Sequence, residues 1–335
     1  MKKRALVTGG CGFVGSNLVK TLVKRGWVVD IVDDMSNGHL EFLEEINMRV
    51  VPVDLVPIFD KSVERNDNVV VIMQGDFVHL NILEKILTKQ YDVVFHQAAM
   101  PRVSYSVEHP AITTEHNINK YVQLLTACRG NVSRVVAASS SSIYGGADNL
   151  PTSEKEVRNP KSPYALQKCV VEDFSKLFCE LYDIDIVCLR YFNVFGQNQI
   201  AGSPYATAIA AWCHSIKNNL PLRSDGDGTQ SRDLCHVDNV VSANILAAES
   251  EIDFEGRAYN VCCGERFTNN EILEFFKQKF PTIEIQNAPW RSGDVMHTLG
   301  DWTAAKEDYG YSPQVEFWAG LERTIAWWGL EDDNL

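Results

Sequence analysis

Tyr164 and Lys168 stand four residues apart in the stretch Ser162-Pro163-Tyr164-Ala165-Leu166-Gln167-Lys168. On a helix, positions i and i+4 share a face, so an ammonium can sit beneath a phenol. A nearby positive charge favours the phenolate, lowering a pKa that is ordinarily about 10 and making the tyrosine a usable base near neutrality. Upstream, an apolar run over residues 135–138 ends in Ser139-Ser140-Ser141-Ser142-Ile143-Tyr144-Gly145. A hydroxyl at such a strand end can hold the same substrate oxygen that the tyrosine deprotonates. Each pattern has a bland reading on its own: with 11 tyrosines, Tyr-x-x-x-Lys arises readily by chance, and a serine run makes an ordinary solvated turn. Their joint occurrence is what points to proton transfer at a hydroxyl or carbonyl carbon.

A second constellation opens the chain. Residues 5–8 form a short apolar run that stops at Gly9-Gly10-Cys11-Gly12-Phe13-Val14-Gly15, with the spacing Gly-x-x-Gly-x-x-Gly. The first glycine lets the chain reverse, the second lets a pyrophosphate approach the main chain, and the third lets the following helix sit close on the sheet. Helix-terminal amides then bind phosphate without any lysine. Asp33 closes the next strand, 18 positions beyond Gly15. A carboxylate there accepts from the adenosine ribose hydroxyls and repels a 2′-phosphate, which favours NAD over NADP. Asp34 beside it strengthens that exclusion.

The elements that must carry these residues follow from periodicity. Strands are expected at 5–8, 28–32, 69–73, 93–96, 135–138 and 184–189, and helices at 14–25, 81–89, 113–129 and 164–181. Alternating strands and helices imply an α/β fold, a doubly wound parallel sheet covered on both faces. Beyond Gly196 the rhythm loosens and Gly and Pro become frequent, which sets the start of a smaller α/β lobe. The expected division is a cofactor domain over 1–195 and a substrate lobe over 196–335, with the chain crossing back near 232–250.

The chain has 335 residues, about two domains' worth. Its 45% hydrophobic content is ample for a core, so global disorder is excluded. A net charge of −13 argues against nucleic acid or an anionic membrane as the main partner. Nine cysteines, an odd number without a Cys-x-x-Cys pair, argue against a disulfide framework or a metal site. No apolar run is long enough for a signal peptide or a membrane span, so the expected location is cytoplasmic.

Taken together, the motifs are similar to those of the extended short-chain dehydrogenases/reductases, and specifically of nucleotide-sugar 4-epimerases of the UDP-glucose/UDP-N-acetylglucosamine type. The markers run through nearly the whole chain: the glycine loop, Gly75-Asp76, His96-Gln97-Ala98-Ala99, the serine run before Tyr144-Gly145, Tyr164 with Lys168, Leu189-Arg190-Tyr191-Phe192-Asn193, Arg232-Asp233 and Arg291-Ser292-Gly293-Asp294. The resemblance implies a Rossmann-type sheet, NAD as cofactor and a UDP-sugar as substrate. It implies that Tyr164, Lys168 and Ser140 are catalytic, with Ser141 and Ser142 as second choices beside Ser140 at the substrate. It implies cofactor contacts from Gly9, Gly12, Phe13, Val14, Gly15, Asp33, Asp34 and Asn37. Asp76 and Phe77 would flank the adenine, Gln97, Ala98 and Ala99 would pass under the cofactor with Asn117 nearby, and Tyr191 would lie against the nicotinamide.

On the substrate side, the resemblance gives Asn193 the phosphate region. Arg232 and Arg291 offer guanidinium forks to a diphosphate, although neighbouring Asp233 and Asp294 could equally make them surface ion-pair partners. Asp294 itself falls in the family's substrate motif. Thr298, seven positions beyond Arg291, is small where the family uses bulk to exclude an N-acetyl group, so N-acetylhexosamines should be tolerated. Two departures stand out. Residues 50–71 hold an extra charged segment, read as an excursion on the adenosine side. Arg102, after the His-Gln-Ala-Ala strand, leaves an acidic sugar open. The implied reaction is redox-neutral: Tyr164 takes the 4-hydroxyl proton, a 4-keto sugar forms and turns over, and the hydride returns to the other face. A 4,6-dehydratase would need an acidic residue where Ser141 and Ser142 stand. A uronic acid decarboxylase or epimerase, and a non-catalytic dinucleotide sensor, compete with the 4-epimerase reading. The helices 113–129 and 164–181 carry many apolar residues (Ile118, Tyr121, Leu124, Leu125, Val170, Val171, Phe174, Phe178), consistent with a homodimer or with simple core packing.

Overall fold

Ala5, Leu6 and Val7 are wholly inaccessible to solvent. A short segment buried on both faces can satisfy its backbone only between two neighbouring strands. It forms β1 (Arg4–Thr8), an interior strand of an eight-stranded sheet. The computed structural model describes residues 2–56, 67–101, 103–146, 148–201, 207–290 and 295–330. Along the chain, β1 leads into α1 (Phe13–Lys24) and β2 (Val28–Asp33). Then come β3 (Met48–Pro52), β4 (Val70–Gln74), α2 (Leu80–Leu87) and β5 (Val93–His96). Next are α3 (Val103–Glu108), α4 (Pro110–Thr114), a π-helical turn (Glu115–Asn119) and α5 (Lys120–Cys128). They are followed by β6 (Arg134–Ser140), α6 (Pro163–Leu181) and β7 (Asp185–Tyr191). The later chain forms β8 (Val194–Phe195), α7 (Ala208–Lys217), β9 (Leu222–Asp225), β10 (Ser231–Arg232), β11 (Cys235–His236) and α8 (Val237–Glu249). It ends with β12 (Ala258–Val261), β13 (Phe267–Thr268), α9 (Asn269–Lys279), β14 (Ile285–Ala288), α10 (Thr303–Tyr309) and α11 (Phe317–Trp327).

The sheet order is β12-β7-β6-β5-β1-β2-β4-β3. From β3 across to β6 every pairing is parallel, with Thr8 level with both Val32 and His96. The chain first builds outward from β1 through β2, then returns to place β5 on the other side of β1. That reversal is the switch point at which open α/β sheets bind ligands, outside the carboxyl ends of the strands. The chain divides into two compact units. The first comprises the described residues of Met1–Ser140, Ser162–Arg190 and Val241–Tyr259, and the second those of Ser141–Lys161, Tyr191–Val240 and Asn260–Leu335. The first is held by a core of sheet residues such as Leu6, Val94 and Ile186 against Ile82, Leu124 and Val171 from the helices. The second has its own core, in which Phe195, Trp212, Phe276, Phe317 and Leu321 meet. Each such side chain, fully buried, contributes about 1.5–3 kcal/mol. Among the described residues, no helix is long and apolar enough to cross a membrane.

Three elements differ from the periodicity reading. The supposed excursion over 50–71 begins as the edge strand β3, whose residues are mostly exposed. An edge strand has no two-sided burial to write an apolar run, and Pro52 at its end is tolerated there because no neighbour needs its amide. Residues 57–66 of that segment lie outside the described residues. The single helix expected over 113–129 is instead α4, the π-helical turn and α5 in succession. Finally, β12 adds a strand from the late chain, whose apolar run is broken by Asn260. The Ser141–Lys161 segment, read as part of the cofactor domain, belongs to the second unit.

Arg134, at the start of β6, ties the returning chain to the sheet. Its Nε donates to Asp185 Oδ2 at 2.6 Å, Nη1 to the carbonyls of Ala247 and Ser250 at 2.7 and 2.8 Å, and Nη2 to that of Ile252 at 2.7 Å. The guanidinium also stacks over Phe254 at 4.7 Å. It therefore satisfies a carbonyl in the last turn of α8, where no intrahelical donor remains. Arg134→Met would strand a largely buried carboxylate and these carbonyls, at a cost of about 3–5 kcal/mol. The check is a urea titration, which should show a lower midpoint with an unchanged slope. A loss below about 1 kcal/mol would mean the network behaves as a screened surface pair.

Candidate active site

Five of the motifs converge because the strands that end in them are parallel neighbours. The glycine loop follows β1, Asp33 ends β2, Asp76 lies just past β4, Gln97-Ala98-Ala99 follows β5 and Ser140 ends β6. In the glycine loop, Gly9 has φ +69°, and a Cβ there would meet Ala98 N at 2.7 Å. A Cβ at Gly15 would strike Gly9 O at 2.0 Å, so the helix lies directly on the turn. At Gly12 the only atom such a Cβ would approach among the described residues is Gly9 O, at 3.3 Å. Gly12 is also the N-cap of α1, and no side chain caps the helix. Phe13, Val14 and Gly15 thus begin a helix whose first amides have no intrahelical acceptor, the arrangement that receives phosphate.

Asp33 is buried and accepts from Cys11 N and Met35 N, both at 2.9 Å. Burial holds its pKa above the usual carboxylate value, against the lowering effect of those two amides. Its second lone pairs remain available to ribose hydroxyls. Asp34 and Asn37 are exposed on the loop beyond. Asp76 accepts from Val78 N at 3.1 Å and pairs with Lys120 at 2.7 Å, and Phe77 packs edge-on against His96. A turn open at Gly12, uncapped amides and a carboxylate at the end of β2 fit the diphosphate and ribose of a dinucleotide.

On α6, Ser162 caps the helix by accepting from Ala165 N at 3.1 Å, and Pro163 supplies the preset first turn. The helix then buries a stripe containing Tyr164, Lys168 and Glu172 at intervals of four. Tyr164 is hydrogen-bonded to Ser140. Lys168 Nζ donates to Ala138 O at 2.6 Å and lies 5.8 Å from the centre of the Tyr164 ring. The electrostatics revise the simple base reading. Burial pushes the Tyr164 phenol up to about 12, with only the Ser140 hydrogen bond opposing it. Burial likewise pushes Lys168 down to about 8. Desolvation of the phenolate outweighs the lysine at this separation, so the chain's own groups keep the phenol protonated at neutral pH.

The surroundings of this trio were not singled out from the sequence. Glu172 accepts from Ser139 and takes the Arg190 guanidinium in two bonds, all nearly inaccessible. Its position four after Lys168 was the available signal. Thr8 Oγ1 and His96 Nδ1 are 2.8 Å apart, and Ala98 N donates to the same hydroxyl at 3.3 Å. Burial, then Lys168, pushes His96 down to about 3, so the imidazole is neutral. Gln97 Nε2 donates to Asn244 at 3.0 Å. Asn117, expected near the cofactor, is buried in the π-helical turn and committed elsewhere: it brackets the backbone of Met100 at 2.8 and 3.1 Å and donates to Gln167 Oε1 at 2.8 Å. Both of its donors are spent, so it holds the loop beyond Ala99 in place rather than reaching a ligand.

The second unit carries the remaining residues. Ser141 and Ser142 begin a 3₁₀ turn, Ser141–Tyr144, and Tyr191 ends β7 half-buried. Asp233, wholly buried, accepts from the amides of Cys263, Gly264 and Gly300 at 2.9–3.0 Å, and burial still pushes it up to about 6. Thr298 Oγ1 accepts from Asp233 N and from Asn193 Nδ2, each at 3.0 Å, and Asn193 Nδ2 also donates to Asp233 O at 2.9 Å. Asn193 therefore has no amide donor left for a phosphate. Its Oδ1 is an acceptor, which suits a hydroxyl rather than a phosphate oxygen. Arg232 Nη1 donates to the carbonyls of Ser231 and Met296 at 3.0 and 3.1 Å. Arg102, Arg291 and Asp294 lie outside the described residues.

The glycine geometry gives a contrast that titration can read. Gly12→Ala should fold with a near-normal melting temperature but bind NAD at least about tenfold more weakly, because a methyl enters the face a pyrophosphate approaches. Gly15→Ala should lose both stability and NAD, since backbone must move to relieve its overlap, at about 1–3 kcal/mol. Equal NAD affinity in Gly12→Ala and the unaltered protein would exclude this loop as the phosphate cradle.

Comparison with known proteins agrees with this geometry. Residues 5–262 match the model of the NAD dependent epimerase/dehydratase family. The solved UDP-N-acetylglucosamine 4-epimerase from Methanobrevibacter ruminantium M1, in complex with UDP-N-acetylmuramic acid, is 35% identical, with 98% of each chain covered and a TM-score of 0.85. The UDP-glucose 4-epimerase from Thermotoga maritima, solved with UDP-glucose, is 29% identical over 97% of this chain and 98% of its own, with a TM-score of 0.84. A UDP-glucose 4-epimerase of Mycolicibacterium smegmatis is 31% identical over 96% of this chain and 97% of its own. A glycine loop shaped for a dinucleotide, a Tyr-x-x-x-Lys helix beside a strand-end serine, and a match across most of the chain have one meaning: the chain belongs to the NAD dependent epimerase/dehydratase family, with NAD as cofactor.

Proposed function

We propose that this enzyme interconverts C4 epimers of a UDP-sugar, a UDP-hexose or UDP-N-acetylhexosamine, and works as a homodimer. The observation that carries the reading is the Tyr164–Ser140 hydrogen bond with Lys168 one helical turn away, at the strand edge that also bears the glycine loop. Similarity along the whole length to 4-epimerases supports it.

In this reading Tyr164 Oη takes the proton of the sugar 4-hydroxyl and later returns it to the opposite configuration of the same oxygen. Ser140 Oγ holds that oxygen in line. The chemistry NAD supplies when bound is reversible hydride acceptance, with a positive charge on its oxidised ring. Lys168 holds a second positive charge near the phenol, fixed by Ala138 O. A buried phenol at about 12 stays protonated and so holds the proton needed for the return step, and these two charges are what favour the phenolate needed for the first. In the second unit, Arg232 and Arg291 pair with the diphosphate, and Asn193 Oδ1 accepts from a sugar hydroxyl. Arg102 and Asp294 contact the sugar. Thr298 is tied to Asn193 and adds little bulk, which leaves space for an N-acetyl group.

A second reading, an acidic UDP-sugar as substrate, is favoured by Arg102 and by the N-acetylmuramic acid ligand of the Methanobrevibacter relative. For the dimer, Tyr121, Leu124, Leu125, Val171 and Phe178 belong to the core. Exposed apolar residues open to a partner on α3, α4 and α6 include Val103, Val107, Ile112 and Leu166, each between 45% and 60% exposed.

Purified protein given a panel of UDP-hexoses, UDP-N-acetylhexosamines and UDP-hexuronates, without added NAD, should form the C4 epimer of at least one. Tyr164→Phe should retain bound NAD and lose at least about a thousandfold in rate, as expected when the positioned acid/base group is removed. Near-normal turnover in that variant would sink the assignment. The pH dependence follows from Lys168. Its charge is complete well below about 8 and is lost as pH rises through that value, so the rate at saturating substrate should fall on the alkaline side of about pH 8. Lys168→Met should lack that limb.

A further inference from the structure

Glu172 is a charged group in the interior of the first unit that the reaction as drawn does not use. It sits on α6 four residues after Lys168 and eight after Tyr164, and is about 5% exposed. Its Oε1 accepts from Ser139 Oγ at 2.6 Å and from Arg190 Nε at 2.9 Å, while Oε2 accepts from Arg190 Nη2 at 2.8 Å. Arg190 and Ser139 are themselves only 6% and 2% exposed. Carrying this pair into the interior removes two charges from water, and apolar residues of similar volume would fill the space at no loss of stability. The pair's placement suggests what it does instead.

Ser139 is the residue before Ser140 on β6, and Arg190 the residue before Tyr191 on β7. Successive strand residues point to opposite faces, so the side chains that Glu172 grips are those turned toward α6. One carboxylate thus fastens the ends of two strands to the helix that carries Tyr164 and Lys168. It also holds a negative charge one turn from the Lys168 ammonium. We propose that Glu172 is a positioning residue for the reaction: its grip on Ser139 and Arg190 sets the Ser140 hydroxyl against Tyr164, and its carboxylate stands as the counter-charge to Lys168 on the same helix face. The groups that act on Lys168 are Tyr164 and Glu172 on α6, His96 on β5 and Cys188 on β7, while Arg190 on β7 is paired with Glu172. Among them Glu172 is the charged carboxylate, since His96 is neutral and burial keeps Cys188 a thiol. This inference rests on the epimerase reading for its kinetic part alone.

The test uses three variants of the full chain. Glu172→Gln keeps the shape and removes the charge. With lysines labelled by 13C, and the Lys168 resonance assigned through Lys168→Met, its titration midpoint should fall by about half a unit or more in Glu172→Gln. An unchanged midpoint would overturn the electrostatic role. In epimerisation assays, the same variant should lose about tenfold in kcat with little change in KM, and its alkaline limb should move to lower pH. The double variant Glu172→Met with Arg190→Met removes both buried charges and should recover thermal stability without recovering kcat. Wild-type kcat in that protein would mean the pair is merely structural and would overturn the proposal. Ser139→Ala leaves the ion pair intact and should lower kcat about three- to tenfold, so the test survives if Glu172→Gln does not fold. Unaltered kcat in Ser139→Ala would also overturn it. Should the unaltered protein epimerise no UDP-sugar, the epimerase reading fails, and the lysine titration still decides the role of Glu172.

Discussion

A parallel sheet covered on both faces drives the polar side chains that meet a ligand to the carboxyl ends of its strands. Everything the first unit does depends on that constraint. The interior strands are largely apolar because each is packed from both sides, and polar and glycine residues concentrate where a strand stops. Thr8, Asp33, His96 and Ser140 are the final residues of four strands that lie side by side. The glycine loop lies at the switch point because β1 is flanked by β2 on one side and β5 on the other. The bond between Thr8 and His96, together with the close approach of Gly9 to Ala98, holds the loops after β1 and β5 together there.

Burial governs the chemistry at that edge as strongly as charge does. The same exclusion of water raises Tyr164 to about 12, lowers Lys168 to about 8 and lowers His96 to about 3. In each case the low-dielectric surroundings disfavour the charged form. The phenol therefore stays protonated in the protein alone, and in the proposed reaction its activation would depend on the positive charge of oxidised NAD. Such coupling would suit a redox-neutral enzyme, because proton removal is then easiest when a hydride acceptor is in place. Glu172 enters the same electrostatics from behind, by opposing the desolvation of Lys168.

In the second unit, a buried carboxylate serves as a fastening for loops. Asp233 collects three amides from two separate segments of the chain, and Thr298 bridges its backbone to Asn193. Asn193 occupies φ +29°, a conformation that needs such support. A residue to which the resemblance gave the phosphate region has thus spent its amide donors on the fold, leaving an acceptor suited to a sugar hydroxyl.

The glycine loop, Asp33, the serine run and the Tyr-x-x-x-Lys pair were legible in the sequence because they are local: turn geometry and helical spacing act over a few residues. So were the interior strands, whose two-sided burial writes continuous apolar runs. The edge strand β3 and the short β12 left no such run, and the π-helical turn cannot be told from an ordinary helix by apolar spacing. What only the tertiary structure decided are the partnerships between distant residues. Arg190, Ser139 and Glu172 share no local pattern, and neither do Asn117, Met100 and Gln167. Whether an asparagine points its amide at a ligand or at a neighbouring carbonyl, and whether a lysine or the loss of water sets a phenol's pKa, depends on what the fold packs around it. Those surroundings come from segments far apart in the chain, and spacing within any one of them carries no record of the others.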